Sequence, residues 1–492
     1  MLRVRFVPFI LTLFVLGVVF VTHEQYTKRK HTTTETAVHA NVGTPSSSAA
    51  SESRPKSVTA LPNVSENRLH WKHGQIPQTN LLVHTTGWSV LDNLYTMNGT
   101  LYIVTDEPEK FPPIREMISS GYHMKNEAIE VQRREPTDKD MVIIGTRHAE
   151  TLFGQTSATR IVGVSFIAND PPQYIGHYYH FSAEIFFGLW RTYSVLDPDI
   201  SANGDTILTA PGRLILPHAP HGRDWHDNAG INHLVLRGAF PSIAFEYMGD
   251  WQERASTQQP YIMERVVLTE RTAAHRAKNF GVDDKIAAVA CRYLPGSPHW
   301  WAPIRRNVVQ FAGGGKLPSP SKTPVITYIS RQGRGRALDP NSHNSLVVAL
   351  KDLETRYGYE VNIVTMEHLS KNEQIWLAAR TTILIGVHGN GLTSLLWMKP
   401  GPSATLIEIS FPNGFASDYQ APARDIGIQY YGVWNDHYFW GDSEHKPRRH
   451  QPKGFHANAI PVDGPTVAAL CVERITKPTS HSSKWDGVKQ VV

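Results

Sequence analysis

Cysteine is almost absent from this chain of 492 residues, since only Cys291 and Cys471 occur. Two cysteines cannot build a cysteine-based metal site or a disulfide scaffold. They allow either one disulfide in an oxidising compartment or two free buried thiols. Charged residues are also few, at 19%, and the net charge of +5 includes no dense Lys/Arg block in the predicted folded part. Because nucleic-acid binding needs clustered cations, the composition argues against a nucleic-acid partner.

The composition otherwise indicates a folded protein. Hydrophobic residues make up 41% of the chain, which is enough for a sizeable core. The length predicts two or three domains. The twelve Trp and eighteen Tyr would suit sugar stacking, but ordinary packing is the favoured interpretation.

The N-terminus carries an apolar run without charge, Phe6–Val21, after two arginines. No small-residue cleavage site follows, so the run predicts an uncleaved signal anchor of a length that suits thin early-secretory membranes.

The basic residues Lys28–Lys30 oppose a cytoplasmic N-terminus, whereas the sequons at Asn63 and Asn98 favour a lumenal body. Residues 22–66 are rich in Thr, Ser, Ala and Pro and predict a flexible stem. The pattern predicts a single-pass type II protein of the Golgi or endoplasmic reticulum membrane, with a tail at residues 1–5.

The predicted folded body has two parts, at residues 67–315 and 316–492, which meet at the turn-rich break Phe311–Pro320. In the first part, the patterns predict strands at Leu101–Val104, Met141–Gly145 and Ile161–Ile167. They also predict helices at His177–Tyr193 and Tyr261–Asn279.

In the second part, strands alternate regularly with helices. The predicted strands are Val325–Ser330, Val361–Val364, Thr382–Gly386, Ala404–Ile409 and Ile428–Gly432. The predicted helices are Ser342–Arg356, Asn372–Arg380, Leu392–Met398 and Phe415–Ile426. This alternation predicts an α/β fold with a parallel, doubly wound sheet.

Ligands of such sheets bind at the carboxyl ends of the strands. The first strand runs into a loop with Arg331, Arg334 and Arg336, which suits a diphosphate because guanidinium groups pair with phosphate oxygens. The third strand runs into Gly386–Thr393, where glycines around His388 let the backbone approach an anion. This loop is neither a dinucleotide fingerprint nor a Walker loop. Glu408 lies inside the apolar fourth strand and therefore needs a partner.

These motifs, in order and spacing, resemble glycosyltransferase family 61, and most closely its fungal branch. The resemblance covers the loop S-R-Q-G-R-G-R, the segment T-I-L-I-G-V-H-G-N-G-L-T and the strand L-I-E-I-S, over about residues 323–434. It implies a GT-B fold, with two Rossmann-like domains, a cleft between them and the nucleotide on the C-terminal side. It implies an inverting transfer of a sugar, such as N-acetylglucosamine, xylose or arabinose, from a UDP-sugar to a glycan or glycoprotein. No further cofactor and no metal are required by that chemistry.

The resemblance also assigns roles to residues. It places Arg331 and Arg336 at the diphosphate, and His388 with the loop Gly389, Asn390 and Gly391 at phosphate or sugar. It places Glu408 at ribose or sugar. In the N-terminal half, the family pattern N-x-x-H-x-x-x-D is matched by residues 177–184, with His in place of Asn and Glu in place of Asp. The i, i+4 spacing puts His180 and Glu184 on one helix face, where either could be the general base.

Two other interpretations remain open. A metal-dependent transferase could use a D-x-D motif, and Asp138/Asp140 and Asp197/Asp199 have that spacing. The chain could also be an inactive sugar-binding or scaffolding protein of the same fold.

Overall fold

The computed structural model describes residues 67–125, 128–221, 226–319, 321–333, 335–440, 447–456 and 459–478, all within one compact unit. The predicted tail, anchor and stem lie outside these residues, as do Asn63 and Arg334. Over the ranges just given, no helix is both long and apolar enough to cross a bilayer. Both cysteines are buried free thiols, which settles the alternative left open by the sequence.

The fold is mixed α/β with two sheets. The strands of the first sheet are β1 (Arg68–His70), β2 (Asn80–Thr85), β3 (Trp88–Met97), β4 (Thr100–Val104), β5 (Met141–Ile144), β6 (Ser157–Ala168), β7 (Arg213–Ile215), β8 (Ala244–Glu246) and β9 (Tyr261–Thr269). Its main path runs β5-β4-β3-β9-β6-β7-β8, with β1 paired to β6 and β2 to β3. Strand β3 is antiparallel to both neighbours, so this sheet departs from the parallel pattern of a Rossmann-like domain. The GT-B assignment therefore stays a prediction.

The predicted helix Tyr261–Asn279 is wrong, because the chain forms β9 and then only a short helix, Arg271–Ala274. Strand β9 lies between β3 and β6 and pairs with both along most of its length. The β-branched and aromatic residues of β9 favour a strand in that buried position. The spacing of the apolar residues, taken without the rest of the fold, also fits a helix. Adjacent to β9, strand β6 runs parallel, so the loops that follow both strands leave the sheet at the same edge.

The second sheet contains β10 (Val325–Ile329), β11 (Glu360–Val364), β12 (Ile383–Val387), β13 (Thr405–Ile409), β14 (Gln429–Trp434) and β15 (His437–Trp440). Its order is β11-β10-β12-β13-β14-β15, with parallel pairing up to β14 and an antiparallel β15 at the edge. The predicted parallel sheet is confirmed. From β10 the chain continues to β11 on one side, whereas β12 lies on the other side of β10. The position between β10 and β12 is therefore a topological switch point, where open α/β sheets bind ligands.

The helices pack on both sheets. Those of the first half are Ile114–Met117, Ala128–Arg133, Thr146–Phe153, Pro172–Ile175, Tyr179–Phe186, Phe187–Ser194, Asn232–Ala239, Met248–Ser256, Arg271–Ala274, Phe280–Asp283, Ile286–Tyr293 and Ala302–Ala312. Those of the second half are Pro340–Tyr357, Lys371–Arg380, Gln420–Asp425 and Gly464–Thr476. Short 3₁₀ segments occupy Pro108–Lys110, Met366–His368 and Asn390–Trp397. The predicted helix Phe415–Ile426 is reduced to Gln420–Asp425 because the preceding residues form a loop.

One hydrophobic core joins the two sheets. It contains Trp88 and Phe166 from the first sheet and Leu406 from the second. Between the sheets, the indole N–H of Trp301 donates to the Leu396 carbonyl at 2.8 Å, and that of Trp300 donates to the Asp425 carbonyl at 3.1 Å. These tryptophans are core residues, as the favoured interpretation of the composition predicted. The domain division at residue 315 stays a prediction.

Candidate active site

His180 and Glu184 lie on the helical segment Tyr179–Phe186, which is wound with π-type hydrogen bonding. Such turns are rare and often occur at functional sites. The Nδ1 atom of His180 lies 2.7 Å from Oε2 of Glu184, as the i, i+4 spacing predicted. Because a carboxylate only accepts, His180 donates its Nδ1–H and keeps the lone pair on Nε2. The His180 side chain is 32% exposed and that of Glu184 only 4%.

A buried chain of ion pairs continues from Glu184. NH1 of Arg271 lies 2.8 Å from Oε2 of Glu184, and Nε of Arg271 lies 3.0 Å from Oδ2 of Asp170. The Tyr174 ring covers the guanidinium at 4.0 Å and meets the His180 ring edge-on. Asp170 follows β6 and Arg271 follows β9, so the ends of two adjacent parallel strands bring these charges together.

The charge of Glu184 is fixed by this environment. Burial alone would raise the pKa of Glu184, but Arg271 and His180 outweigh it and hold that pKa well below its usual range. A carboxylate with a lowered pKa is a weak base. Glu184 is therefore poorly suited to accept a proton and well suited to orient the imidazole of His180.

The second group of polar side chains lies at the carboxyl ends of β12 and β13. Nδ1 of His388 is in hydrogen-bond contact with Oε1 of Glu408, and Nε2 lies 3.5 Å from Oδ2 of Asp418. The Tyr430 hydroxyl donates to Oε2 of Glu408 at 2.6 Å. Glu408 thus has the partners that its burial requires, and both ring nitrogens of His388 face carboxylates. This arrangement fixes the imidazole orientation.

Arg331 lies against the glycine loop at the switch point between β10 and β12. Its NH1 donates to the His388 carbonyl at 3.2 Å. Gly389 has φ 153°, which favours glycine, and a Cβ there would overlap the Arg331 guanidinium. A Cβ at Gly391 would lie only 3.3 Å from Cγ2 of Ile329. Gly389 therefore allows the guanidinium to approach the loop closely, and Gly391 allows the loop to pack against β10.

Arg336 belongs to the same group. Burial lowers the pKa of Arg336 and the nearby Arg331 guanidinium lowers it further, while Tyr419, Asp418 and Glu408 oppose the change. In the described part of the chain, the Arg336 guanidinium makes no hydrogen bond or ion pair. Two adjacent guanidinium groups, one of them unpaired, form an anion-binding arrangement.

The two groups of side chains meet in one site. Oδ1 of Asn390 accepts from the backbone N–H of Tyr179 at 3.1 Å, which joins the glycine loop to the His180 helix. The Tyr419 ring lies 5.3 Å from that of Tyr179 and 5.5 Å from that of His388. Lys285 pairs with Asp418 and also lowers the pKa of Glu184. The His180–Glu184 pair and the glycine loop with its arginines therefore lie in one region.

The structure brings together all the predicted site residues, although the role of each stays a prediction. Asn390 is predicted to contact a ligand, and its side-chain oxygen also contacts the helix of His180. Sequence reasoning missed Asp170, Arg271, Lys285 and Asp418. A signal existed for Asp170, which follows the predicted strand Ile161–Ile167, whereas Arg271 lay inside the wrongly predicted helix Tyr261–Asn279. Lys285 and Asp418 lie in loops, and nothing local marks them.

The D-x-D pairs have local structural roles. Oδ2 of Asp197 accepts from the Thr206 hydroxyl at 2.6 Å and from the Ile207 N–H at 3.0 Å. Oδ2 of Asp140 accepts from the Thr137 N–H and hydroxyl. In the portion of the chain that the structure describes, no group of three His, Cys, Asp or Glu side chains could hold a metal ion.

An α/β fold with guanidinium groups at a switch point and a histidine–carboxylate pair beside them is an arrangement that group-transfer chemistry can use. The family model described as Glycosyltransferase 61 matches residues 178–407, and this match supports a glycosyltransferase. The matched segment includes His180, Glu184, Arg271 and the glycine loop, and it ends one residue before Glu408. No curated protein matches the chain.

A pH-dependent stability is expected from Glu270, which is fully buried beside Asp170 and accepts from the Thr272 and Ala273 N–H groups. Burial and the Asp170 carboxyl raise the pKa of Glu270 from 4.5 to about 7. The folded state then binds a proton that the unfolded state releases, so this group's contribution to stability falls as the pH rises from about 4.5 to about 7. Over that range, Glu270→Gln should gain on the order of 3 kcal/mol in unfolding free energy relative to the wild type.

Chemical unfolding of both proteins at several pH values measures this difference. Glu253→Gln, at an exposed glutamate, is the matched control, and its unfolding free energy should change with pH as that of the wild type does. Equal slopes for wild type and Glu270→Gln over this range would show that folding does not raise the pKa of Glu270.

Proposed function

We propose that the chain is an inverting glycosyltransferase of family 61 that moves a sugar from a UDP-sugar to a glycan or glycoprotein. The observation that carries this proposal is the convergence of the His180–Glu184 pair with the Arg331–Arg336 loop at the edge of the second sheet. The family match over residues 178–407 supports it independently.

The chemistry follows from the positions of the groups. An acceptor hydroxyl attacks the anomeric carbon, and its proton passes to Nε2 of His180 while Glu184 stabilises the resulting imidazolium. The bond between the anomeric carbon and the phosphate oxygen breaks, and UDP leaves with that electron pair. The developing negative charge is stabilised by Arg331, Arg336 and the backbone N–H groups of the glycine loop. Attack opposite to the leaving group inverts the anomeric centre.

We also propose that the enzyme is membrane-anchored and lumenal, in the Golgi or endoplasmic reticulum. The apolar run Phe6–Val21 and the polar segment 22–66 support this location. The exposed Asn98 supports it too, because it lies at the tip of the β3–β4 hairpin, where a glycan would not disturb packing.

Donor binding and turnover test the proposed activity. The full chain should bind a UDP-sugar and release UDP when an acceptor is added, and a panel of UDP-N-acetylglucosamine, UDP-xylose and UDP-arabinose should identify the donor. Because the proposed charge stabilisation uses side chains and backbone N–H groups, UDP release should persist in EDTA. Loss of all activity in EDTA would favour the metal-dependent alternative. Donor binding without turnover on any acceptor would favour the inactive, sugar-binding alternative.

A further inference from the structure

Residues 447–456 lie outside the family match and run along the edge of the second sheet where the parallel strands have their carboxyl ends. We call them the crossing segment. Its backbone pairs with the loop after β13, because the Phe415 N–H donates to the His450 carbonyl at 2.8 Å and the His450 N–H donates back at 3.0 Å. Further along the chain, the Ile460 N–H donates to the Ala337 carbonyl at 3.0 Å, in the loop after β10. The chain therefore passes from the loop after β13 to the loop after β10.

Phe455 holds the crossing segment at the end of β12. Its buried ring lies 5.0 Å from the imidazole of His388, and the Tyr419 ring lies 5.5 Å from the same imidazole. Gly414 permits this packing, because a Cβ there would lie only 2.5 Å from the Phe455 ring. The buried Phe455 thus fixes the position of the next residue, His456, at the switch point between β10 and β12.

His456 brings an imidazole close to the guanidinium of Arg336. Its side chain is exposed, and within the ranges that the structure describes no group forms a hydrogen bond or ion pair with it. Partial desolvation lowers the pKa of His456, and Arg336 from the loop after β10 and His388 from the loop after β12 lower it further. The carboxylates behind His388 are those of Glu408 and Asp418, and each already has a partner. An unpartnered imidazole among cations is suited to an anion, because a bound anion reverses the effect that disfavours protonation.

We propose that His456 is a further donor-binding residue, which contacts the diphosphate of the nucleotide sugar together with Arg331 and Arg336. This assignment rests on the proposed transferase function. In the complex, His456 is an imidazolium that donates an N–H to a phosphate oxygen, and the diphosphate stabilises the added proton. Because the diphosphate of a UDP-sugar is fully ionised near neutral pH, a proton taken up on binding goes to the protein.

Isothermal titration calorimetry of the full chain with UDP-N-acetylglucosamine, UDP-xylose and UDP-arabinose tests this proposal. His456→Ala should weaken binding by roughly tenfold or more, because a charge-assisted hydrogen bond is lost. His456→Lys should bind nearly as the wild type does, since it keeps a cation at that place. Titrations in buffers of different ionisation enthalpy give the proton uptake, which should be smaller in both variants than in the wild type. His450→Ala, at another exposed histidine of the crossing segment, is the matched control and should match the wild type in both quantities.

Two results would overturn the role of His456 alone. One is a UDP-sugar affinity that is unchanged in His456→Ala although the wild type binds. The other is an equal loss of affinity for uridine, which has no phosphate, because His456 would then act on the nucleoside or through the fold.

Inorganic pyrophosphate separates this proposal from the proposed transferase function. Pyrophosphate binding that depends on His456, in a protein that binds none of the three UDP-sugars, would support an anion site at His456 and overturn its role in donor binding together with the transferase function. Binding of neither pyrophosphate nor any UDP-sugar would overturn both proposals.

Discussion

Replacing His180 by alanine should reduce sugar transfer about 10²- to 10⁴-fold and leave donor binding near that of the wild type. The reason is that the His180 side chain is partly exposed and its Nδ1–H is committed to Glu184, which leaves the lone pair on Nε2 as the proposed proton acceptor. Removal of the imidazole takes away the proton acceptor without touching Arg331 or Arg336. Steady-state UDP release and equilibrium UDP binding, measured on one preparation, give the two quantities.

Two further measurements distinguish His180 from Glu184 as the base. Added imidazole should partly restore transfer in His180→Ala, because a small base can occupy the vacated space. Glu184→Gln should also slow transfer, since it removes the charge that orients the imidazole, while Arg271 keeps its pairing with Asp170. If Glu184 were the base, Glu184→Gln would be the more damaging change and imidazole would not rescue His180→Ala.

Control variants exclude loss of folding as the cause. His73→Ala, at a histidine whose side chain is 73% exposed, should retain full activity. Glu184→Gln changes one partner of a buried ion pair, so its thermal unfolding must be compared with that of the wild type before a rate is interpreted. Near-normal turnover in a folded His180→Ala protein would contradict the assignment.

The site could be predicted from the sequence wherever the chemistry depends on local spacing. His180 and Glu184 are four residues apart on a helix, so their contact follows from helix geometry. Arg331 and His388 follow strands β10 and β12, so their proximity follows from the parallel sheet. The first contact is encoded in one short segment, and the second in the regular alternation of strands and helices.

The remaining residues depend on tertiary packing. Arg271 follows a strand that the sequence presented as a helix, and its meeting with Asp170 needs β6 and β9 to be neighbours. The first sheet is mixed, so no regular alternation of strand and helix marks that pairing. Asp418 and Lys285 come from loops and meet because the core shared by the two sheets brings those loops together. The apolar periodicity of a sequence contains no information about contacts between distant loops.

The double variant Arg331→Ala/Arg336→Ala should lose UDP-sugar binding by at least about 10²-fold. Each guanidinium contributes charge-assisted hydrogen bonds to the diphosphate, and each such bond is worth roughly 1.5–3 kcal/mol. Arg331→Ala alone should already reduce binding below detection in a direct titration. Its loss also frees the space beside Gly389, so the glycine loop loses the group that packs against it.

Comparison with other arginine variants shows whether geometry or charge alone determines the affinity. Arg331→Lys keeps the charge but cannot form two parallel hydrogen bonds, so it should restore only part of the binding. Arg356→Ala removes an arginine whose side chain is 69% exposed on the same half of the chain, and it should bind like the wild type. If Arg331→Lys binds fully, the site recognises charge without bidentate geometry. If Arg331→Ala/Arg336→Ala binds UDP-sugar normally, the diphosphate lies elsewhere, and the guanidinium pair has no part in holding the donor.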